Sequence, residues 1–164
     1  MAPERSQKEK TPPYLLSKPK ALALMKAWEE YWTNYVLKMA EEEGLNMIGI
    51  VDLRRRQPFN RMDETSFNEL IKTLIRRGYA KLWNRKHKLL RIYWCSPSYW
   101  VERLIEAVKA RRVTSVVAGI EDVTQLVPEM SSLPKEELKE VLKLMVQQGL
   151  AEWLDKKRLI IRVT

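Results

Sequence analysis

The residue types that most often do chemistry are sparse in this sequence and poorly spaced for it. Two acidic pairs, Glu121-Asp122 and Glu136-Glu137, have the composition of a general acid and its base. Both fall where surface helices begin, and acids there favour the positive end of a helix dipole without any substrate. The one histidine, His87, lies between two lysines in a short charged link, which reads as a solvent-facing loop rather than a proton shuttle. The one cysteine, Cys95, has no second cysteine or histidine beside it and reads as an inert thiol. A single Cys and a single His exclude an internal disulfide, a cysteine-rich metal site and a histidine cluster. Gly49 and Gly119 belong to no phosphate-cradling pattern. Catalysis, a cofactor, a metal and a small-molecule substrate are therefore not expected.

Binding chemistry is better represented. The formal net charge is +9, which favours acidic partners such as nucleic acid, an acidic protein or an anionic membrane face. Residues 1–94 hold 19 Lys or Arg against 11 Asp or Glu, a net +8, whereas 95–164 hold 11 against 10, a net +1. Any electrostatic surface thus belongs to the first half, where Arg54, Arg55, Arg56, Arg61, Lys72, Arg76, Arg77, Arg85, Lys86 and Lys88 could meet phosphate. The second half instead alternates sign along Lys135, Glu136, Glu137, Lys139, Glu140 and Lys143, with a basic run at Lys156, Lys157 and Arg158. Such alternation suits selection of one charged partner helix, because mismatched charge penalises the wrong one. A solvated helix face would look the same. Six Trp, six Tyr and two Phe either fill thin cores or anchor a partner.

The elements that must position these groups follow from periodicity. Residues 1–13 read as a flexible polar tail, and Pro12, Pro13 and Pro19 bracket the apolar Tyr14-Leu15-Leu16 while keeping the backbone extended. A helix over 20–43 carries Leu24, Trp28, Tyr31, Trp32, Tyr35 and Met39 as one stripe expected to be largely buried. A short strand over 47–51 and a short helix over 52–57 come next. Asp63 then caps a helix over 64–77, with Phe67, Leu70, Ile71, Leu74 and Ile75 inward and Gly78 at its end. Strands over 79–83 and 89–94 make a hairpin with a basic tip.

The same order recurs: helix 98–111, strand 112–117, short helix 120–127, helix 134–148, and strands 151–154 and 159–163. A shift of 71 superposes Phe67 on Leu138, Leu70 on Val141, Ile71 on Leu142, Leu74 on Met145, Ile75 on Val146 and Gly78 on Gly149. Helix, short strand, short helix, helix and hairpin make a winged helix, so the expected fold is α+β with two tandem winged-helix domains. The expected divisions are a flexible N-terminal segment 1–19, domain one over 20–95 and domain two over 96–164. Tyr93, Trp94, Tyr99 and Trp100 flank the join and are expected to glue the two together. A helix-turn-helix core also raises a DNA-binding transcriptional regulator as the alternative function. The second core helix would then enter the major groove with Asn68, Lys72, Arg76 and Arg77. Against this, the mixed charge on 135–143 attracts and repels phosphate alike. At most weak, sequence-independent contact with nucleic acid or an acidic membrane is expected.

Several stretches resemble the small tandem winged-helix subunit of the ESCRT-II endosomal sorting complex. They are TPPYLLSKPK at 11–20, followed by a helix containing Trp28, then RRGYAKLW at 76–83 and LLRIYWCSPSYW at 89–100. The resemblance covers residues 11–164. It implies a non-enzymatic adaptor. Pro12, Pro13, Tyr14 and the adjoining Leu15 would hold a larger ESCRT-II-like winged-helix subunit, with Leu15 and Leu16 extending the apolar surface; the alternative is that this segment folds back on its own domain. The second domain, with Lys139, Lys143, Lys156 and Arg158, would recruit an ESCRT-III-like subunit in membrane sorting and remodelling. Residues before Pro12 are polar where that family often has aromatics, and the second domain's loops are short, as in a pared-down archaeal relative. No stretch is long and apolar enough to cross a bilayer, and MAPERSQKEK has no apolar signal core. A cytoplasmic protein recruited peripherally to membranes is expected.

Overall fold

The computed structural model describes residues 12–86, 88–111 and 114–164. The readings of residues 1–11, of His87 and of the strand start at Arg112 lie outside the described residues. The chain divides into two compact units between Trp94 and Cys95.

The first unit opens with a 3-10 turn, Pro13–Leu16, followed by α1 (Leu22–Glu43), β1 (Met47–Gly49), α2 (Ile50–Arg55), a 3-10 turn Phe59–Arg61, α3 (Glu64–Arg76), β2 (Ala80–Asn84) and β3 (Leu89–Ile92). The second unit runs α4 (Pro97–Arg111), β4 (Val116–Ala118), α5 (Gly119–Leu126), a 3-10 turn Pro128–Ser132, α6 (Lys135–Gln147), β5 (Ala151–Asp155) and β6 (Ile160–Val163). Each has an antiparallel sheet in which the last strand lies in the middle, in the orders β1-β3-β2 and β4-β6-β5. Three helices, a short first strand and a two-stranded wing make each unit a winged helix, and the fold is α+β.

The 71-residue repeat extends into backbone detail. Gly78 and Gly149 end α3 and α6 at φ 82° and 73°, where a Cβ would be strained. Each lies in the same helix-ending turn: Tyr79 N–H donates to Leu74 O and Leu150 N–H to Met145 O, both at 2.9 Å. The wings share a register shift, between Leu82 and Asn84 and between Trp153 and Asp155. Lys88 and Leu159, again 71 apart, both take positive φ just before the returning strand.

The first core gathers Trp28, Trp32 and Val36 of α1 with Leu53, Phe59, Phe67, Leu70, Leu74, Leu90 and Ile92. Its rings pack at angles, Trp32 to Phe59 at 5.7 Å and Phe59 to Phe67 edge-on at 6.4 Å, geometries that suit the ring quadrupole. Burial, with repulsion from Tyr31, Glu42 and Glu43, pushes the Tyr35 hydroxyl up to about 12. The second core is smaller-ringed: Trp100, Leu104 and Val108 of α4 meet Val123, Met130, Leu138, Leu142, Met145 and Ile161. There Arg111 donates two hydrogen bonds to the buried Asp122, at 2.9 and 3.0 Å, and the Ala118 amide donates a third at 3.0 Å. Burial alone would raise the Asp122 carboxyl. These donors and the Arg111 charge hold it below its ordinary value.

Several expectations need correction. Leu24 is exposed although it is in phase with Trp28, and the whole first turn of α1, residues 22–24, is exposed with it. Ile75 is 40 % exposed; it sits about 80° around the helix from Phe67, at the edge of the buried arc. Strand β1 stops at Gly49 and α2 begins two residues earlier than the spacing suggests. Strand β3 ends at Ile92, and β4 spans Val116–Ala118. Residues 12–16 are not a loose tail: Pro13 supplies a φ suited to the first turn of the 3-10 helix, and Leu16 enters the core. Leu16→Ala should therefore lower unfolding stability by about 2–3 kcal/mol, as for a buried leucine near the surface of a core. Urea titration checks this, and an unchanged midpoint would place the segment off the domain.

Candidate functional site

The candidate partner-binding residues fall in two places, one in each unit. In the first, the indole N–H groups of Trp28 and Trp32 both donate to the Leu15 carbonyl, at 2.8 and 2.7 Å. That pins the Pro13–Leu16 turn across α1. Leu15 packs partly against the core and Leu16 is buried in it. Tyr14 between them and the Pro-Pro pair is left outside, 77 % exposed. Pro12 is half-buried and Pro13 exposed. The apolar surface expected from Tyr14, Leu15 and Leu16 together thus reduces to one ring on a fixed base.

Beyond the turn the chain runs onto the N-terminal end of α3. The Ser17 hydroxyl donates to Asp63 Oδ2 at 3.1 Å, the Lys18 amide donates to Ser66 Oγ at 2.9 Å, and Lys18 Nζ reaches Glu69 Oε2 at 3.1 Å. Asp63 is also the N-cap of α3, accepting from the Ser66 amide at 2.8 Å. A shallow recess of about 520 Å³ borders this contact, lined by Lys18, Lys20, Met25, Asp63 and Thr65 among others. At the far end of α3, Arg76 and Arg77 converge on Glu29 of α1, at 2.7 and 3.1 Å, with Lys18 Nζ 4.0 Å from the same carboxylate. Glu29 is buried, and three cations offset the cost of desolvating it.

Ser17, Lys18 and Glu29 did not stand out in the sequence reading, although an acid between Trp28 and Trp32 on an apolar stripe was a usable signal. The same bonds consume cations that could have met phosphate. Arg54 donates to the carbonyls of Phe59 and Met62 and lies over the Phe67 ring. Arg56 pairs with Glu43 at 2.8 Å, a hydrogen bond that holds its guanidinium above its ordinary value. Lys72 pairs with Glu69 at 3.7 Å. Asn68, Arg55 and Arg61 remain exposed.

In the second unit Lys139 and Lys143 are exposed on α6, with Lys143 3.4 Å from Glu140. Lys156 and Arg158 are exposed at the wing turn, and Arg158 lies 3.8 Å from Asp155. The α6 pair and the wing pair are on separate elements. Of the four aromatics expected to join the units, Trp94 donates to Asn46 Oδ1 at 2.8 Å and Tyr93 lies under Arg91 at 4.5 Å, both within the first unit. Tyr99 and Trp100 meet edge-on at 5.1 Å within the second. Among the described residues no group of three His, Cys, Asp or Glu is placed to hold a metal ion, and no helix is long and apolar enough to cross a membrane.

No protein-family model matches this chain, and no curated protein matches its sequence. Solved structures do share its fold. Subunit VPS25 of the endosomal trafficking complex ESCRT-II is 13 % identical and matches over 93 % of this chain and 95 % of that one, with a TM-score of 0.62. A chain in a structure of the ESCRT-II endosomal trafficking complex is 12 % identical over the same shares, with a TM-score of 0.56. At such identity the likeness is one of architecture: the α+β tandem winged-helix arrangement is common to them.

The contact between residues 17–18 and α3 has a pH signature. Asp63 is held below its ordinary value first by the Ser66 amide, then by the Ser66 hydroxyl, with Ser17 adding to both. Glu69 is lowered by the hydrogen bond and charge of Lys18. A carboxyl lowered in the folded state stabilises it fully above the unfolded value, about 4, and the effect is lost as pH falls through the folded value. The amide resonances of Lys18 and Ser66 should therefore stay constant down to about pH 4–5 and shift together below it. A shared midpoint at or above the ordinary carboxylate value would contradict the contact.

Proposed function

We propose that this chain is a non-enzymatic adaptor subunit of an ESCRT-II-like complex, joining a larger ESCRT-II-like winged-helix subunit to an ESCRT-III-like protein during membrane sorting and remodelling. The observation that carries the reading is the presentation of Tyr14. Its neighbours Leu15 and Leu16 are anchored on the first unit, while its ring stands 77 % exposed. Holding an aromatic side chain outward on an ordered turn removes part of the entropy lost on docking. Large aromatic anchors of this kind dominate interface energies. The architecture shared with the ESCRT-II chains supports the same reading.

A DNA-binding regulator is less well supported. A recognition helix reads bases with its N-terminal residues, and here that end of α3 opens on the acids Asp63 and Glu64, with Ser17 bonded to Asp63 and, further along, Lys18 bonded to Glu69. Arg76 and Arg77, the cations such a helix would offer, are engaged by Glu29.

The recruiting role is assigned to the second unit, on the exposed cations Lys139, Lys143, Lys156 and Arg158. Interleaved acids Glu136 and Glu140 give that face a pattern that rejects mismatched partners.

Two measurements test the two ends. Tyr14→Ala should leave the melting temperature unchanged and weaken binding to the larger ESCRT-II-like subunit by about 2 kcal/mol or more, read by calorimetry. Unchanged affinity would remove Tyr14 as the anchor. Lys139→Glu with Lys143→Glu in the full chain should weaken binding of the ESCRT-III-like protein about tenfold or more while leaving the Tyr14-dependent contact intact. Unchanged affinity for the ESCRT-III-like protein would take the recruiting face away from α6.

A further inference from the structure

The two wings share one backbone and differ in what neutralises them. In the second, each acid meets a cation of the same hairpin: Glu152 with Arg162 at 3.2 Å and Asp155 with Arg158 at 3.8 Å. The positions 71 residues earlier hold Lys81 and Asn84 in place of Glu152 and Asp155. Residues 79–91 consequently contain Lys81, Arg85, Lys86, Lys88 and Arg91 and no acid at all. Arg91 is buried and bonded to backbone carbonyls. Lys81, Arg85, Lys86 and Lys88 are exposed, and among the described residues none of the four is in an ion pair. The second hairpin, residues 150–162, thus sets two acids against its four cations for a net +2, whereas residues 79–91 carry five cations and no acid, four of them exposed.

Aromatic rings accompany those cations. Alternation along β2 puts Lys81 and Trp83 on one side, and Tyr79 immediately precedes the strand. Tyr79 and Trp83 are 39 % and 37 % exposed, and Lys81 Nζ lies 5.4 Å from the centre of the Trp83 ring. Partly exposed Trp and Tyr beside lysines have the composition of a membrane–water interface, where such rings sit at headgroup depth and basic side chains meet lipid phosphate. Base stacking needs an open ring face, and Lys81 takes one face of Trp83. A winged-helix grip on duplex DNA would need the N-terminal end of α3, which opens on the acids Asp63 and Glu64.

We infer that the first wing is a docking surface for an anionic lipid bilayer, with Lys81, Arg85, Lys86 and Lys88 facing the headgroups and Trp83 and Tyr79 at the interface. The inference is independent of the adaptor reading, since it rests on the asymmetry between the wings.

The test is flotation of the full chain with vesicles of phosphatidylcholine alone and of phosphatidylcholine mixed with phosphatidylserine. Binding should require phosphatidylserine and fall with added salt. Lys81→Glu with Asn84→Asp installs the acids that the second wing already accommodates, and should reduce binding at least about tenfold, since each basic residue near an anionic surface is worth about a fivefold change. Arg85→Gln with Lys86→Gln, at the exposed turn, should reduce it in the same direction without burdening the fold. Lys156→Gln with Lys157→Gln, the matching change in the second wing, should have little effect. Equal binding to phosphatidylcholine alone, no binding to either vesicle, or equal sensitivity to changes in the two wings would overturn the inference. So would tighter binding to a random-sequence DNA duplex at the same salt, lost in the Lys81→Glu, Asn84→Asp chain, which would give the wing to nucleic acid.

Discussion

Two buried indole N–H groups, those of Trp28 and Trp32, share one acceptor, the Leu15 carbonyl. A carbonyl has two lone pairs and can serve both. A buried donor left without a partner costs about 1–3 kcal/mol, so the rings that make the core of the first unit also demand the segment that precedes α1. Much of the unit's surface follows from that demand. The turn is held with Leu16 inward and Tyr14 outward. Its continuation delivers Ser17 and Lys18 to α3 and brings the Lys18 ammonium toward Glu29. Glu29 in turn holds Arg76 and Arg77 at the other end of that helix. One hydrogen-bonding requirement thereby presents an aromatic anchor and brings a third cation to the carboxylate that holds Arg76 and Arg77.

The second unit repeats the backbone without the segment. A winged helix of this size has a thin core, and each unit supplements its core with a polar clasp of its own. In the first, the clasp is Glu29 with its three cations. In the second, Asp122 takes two bonds from Arg111 and one from the Ala118 amide, tying the end of α4 to the start of α5. Shared helix endings and wing bulges show how much of the backbone repeats. The charges laid on it diverge, with acids paired to cations in one wing and absent from the other.

The fold was legible because helix ends and hydrophobic arcs are local properties. Phe67, Leu70, Leu74 and Gly78 with their partners 71 residues later carry it, and those positions take the same roles in both units. Boundaries moved where the cue was weak: β1 is three residues long and α2 follows it directly. Periodicity gives the direction of a side chain but not what lies opposite it, so Leu24 could be in phase and still be exposed. The candidate site was half legible. Pro12, Pro13 and Tyr14 mark themselves by composition, whereas the bonds that orient Tyr14 join residues 13 and 17 positions apart, and no local pattern announces those. The cations of α3 misled for the same reason, because Glu29 lies 47 and 48 residues away from them.

The central claim is that residues 13–16 are a structural part of the first unit, held by the two indoles, and present Tyr14 from there. Hydrogen exchange at the Nε1 positions of Trp28 and Trp32, followed by NMR on the full chain, tests it most directly. Both protons should exchange slowly, at rates set by opening of the whole unit, and should show cross-peaks to Leu15. Rapid exchange at both indoles, at the rate of solvent-exposed tryptophan, would contradict the account.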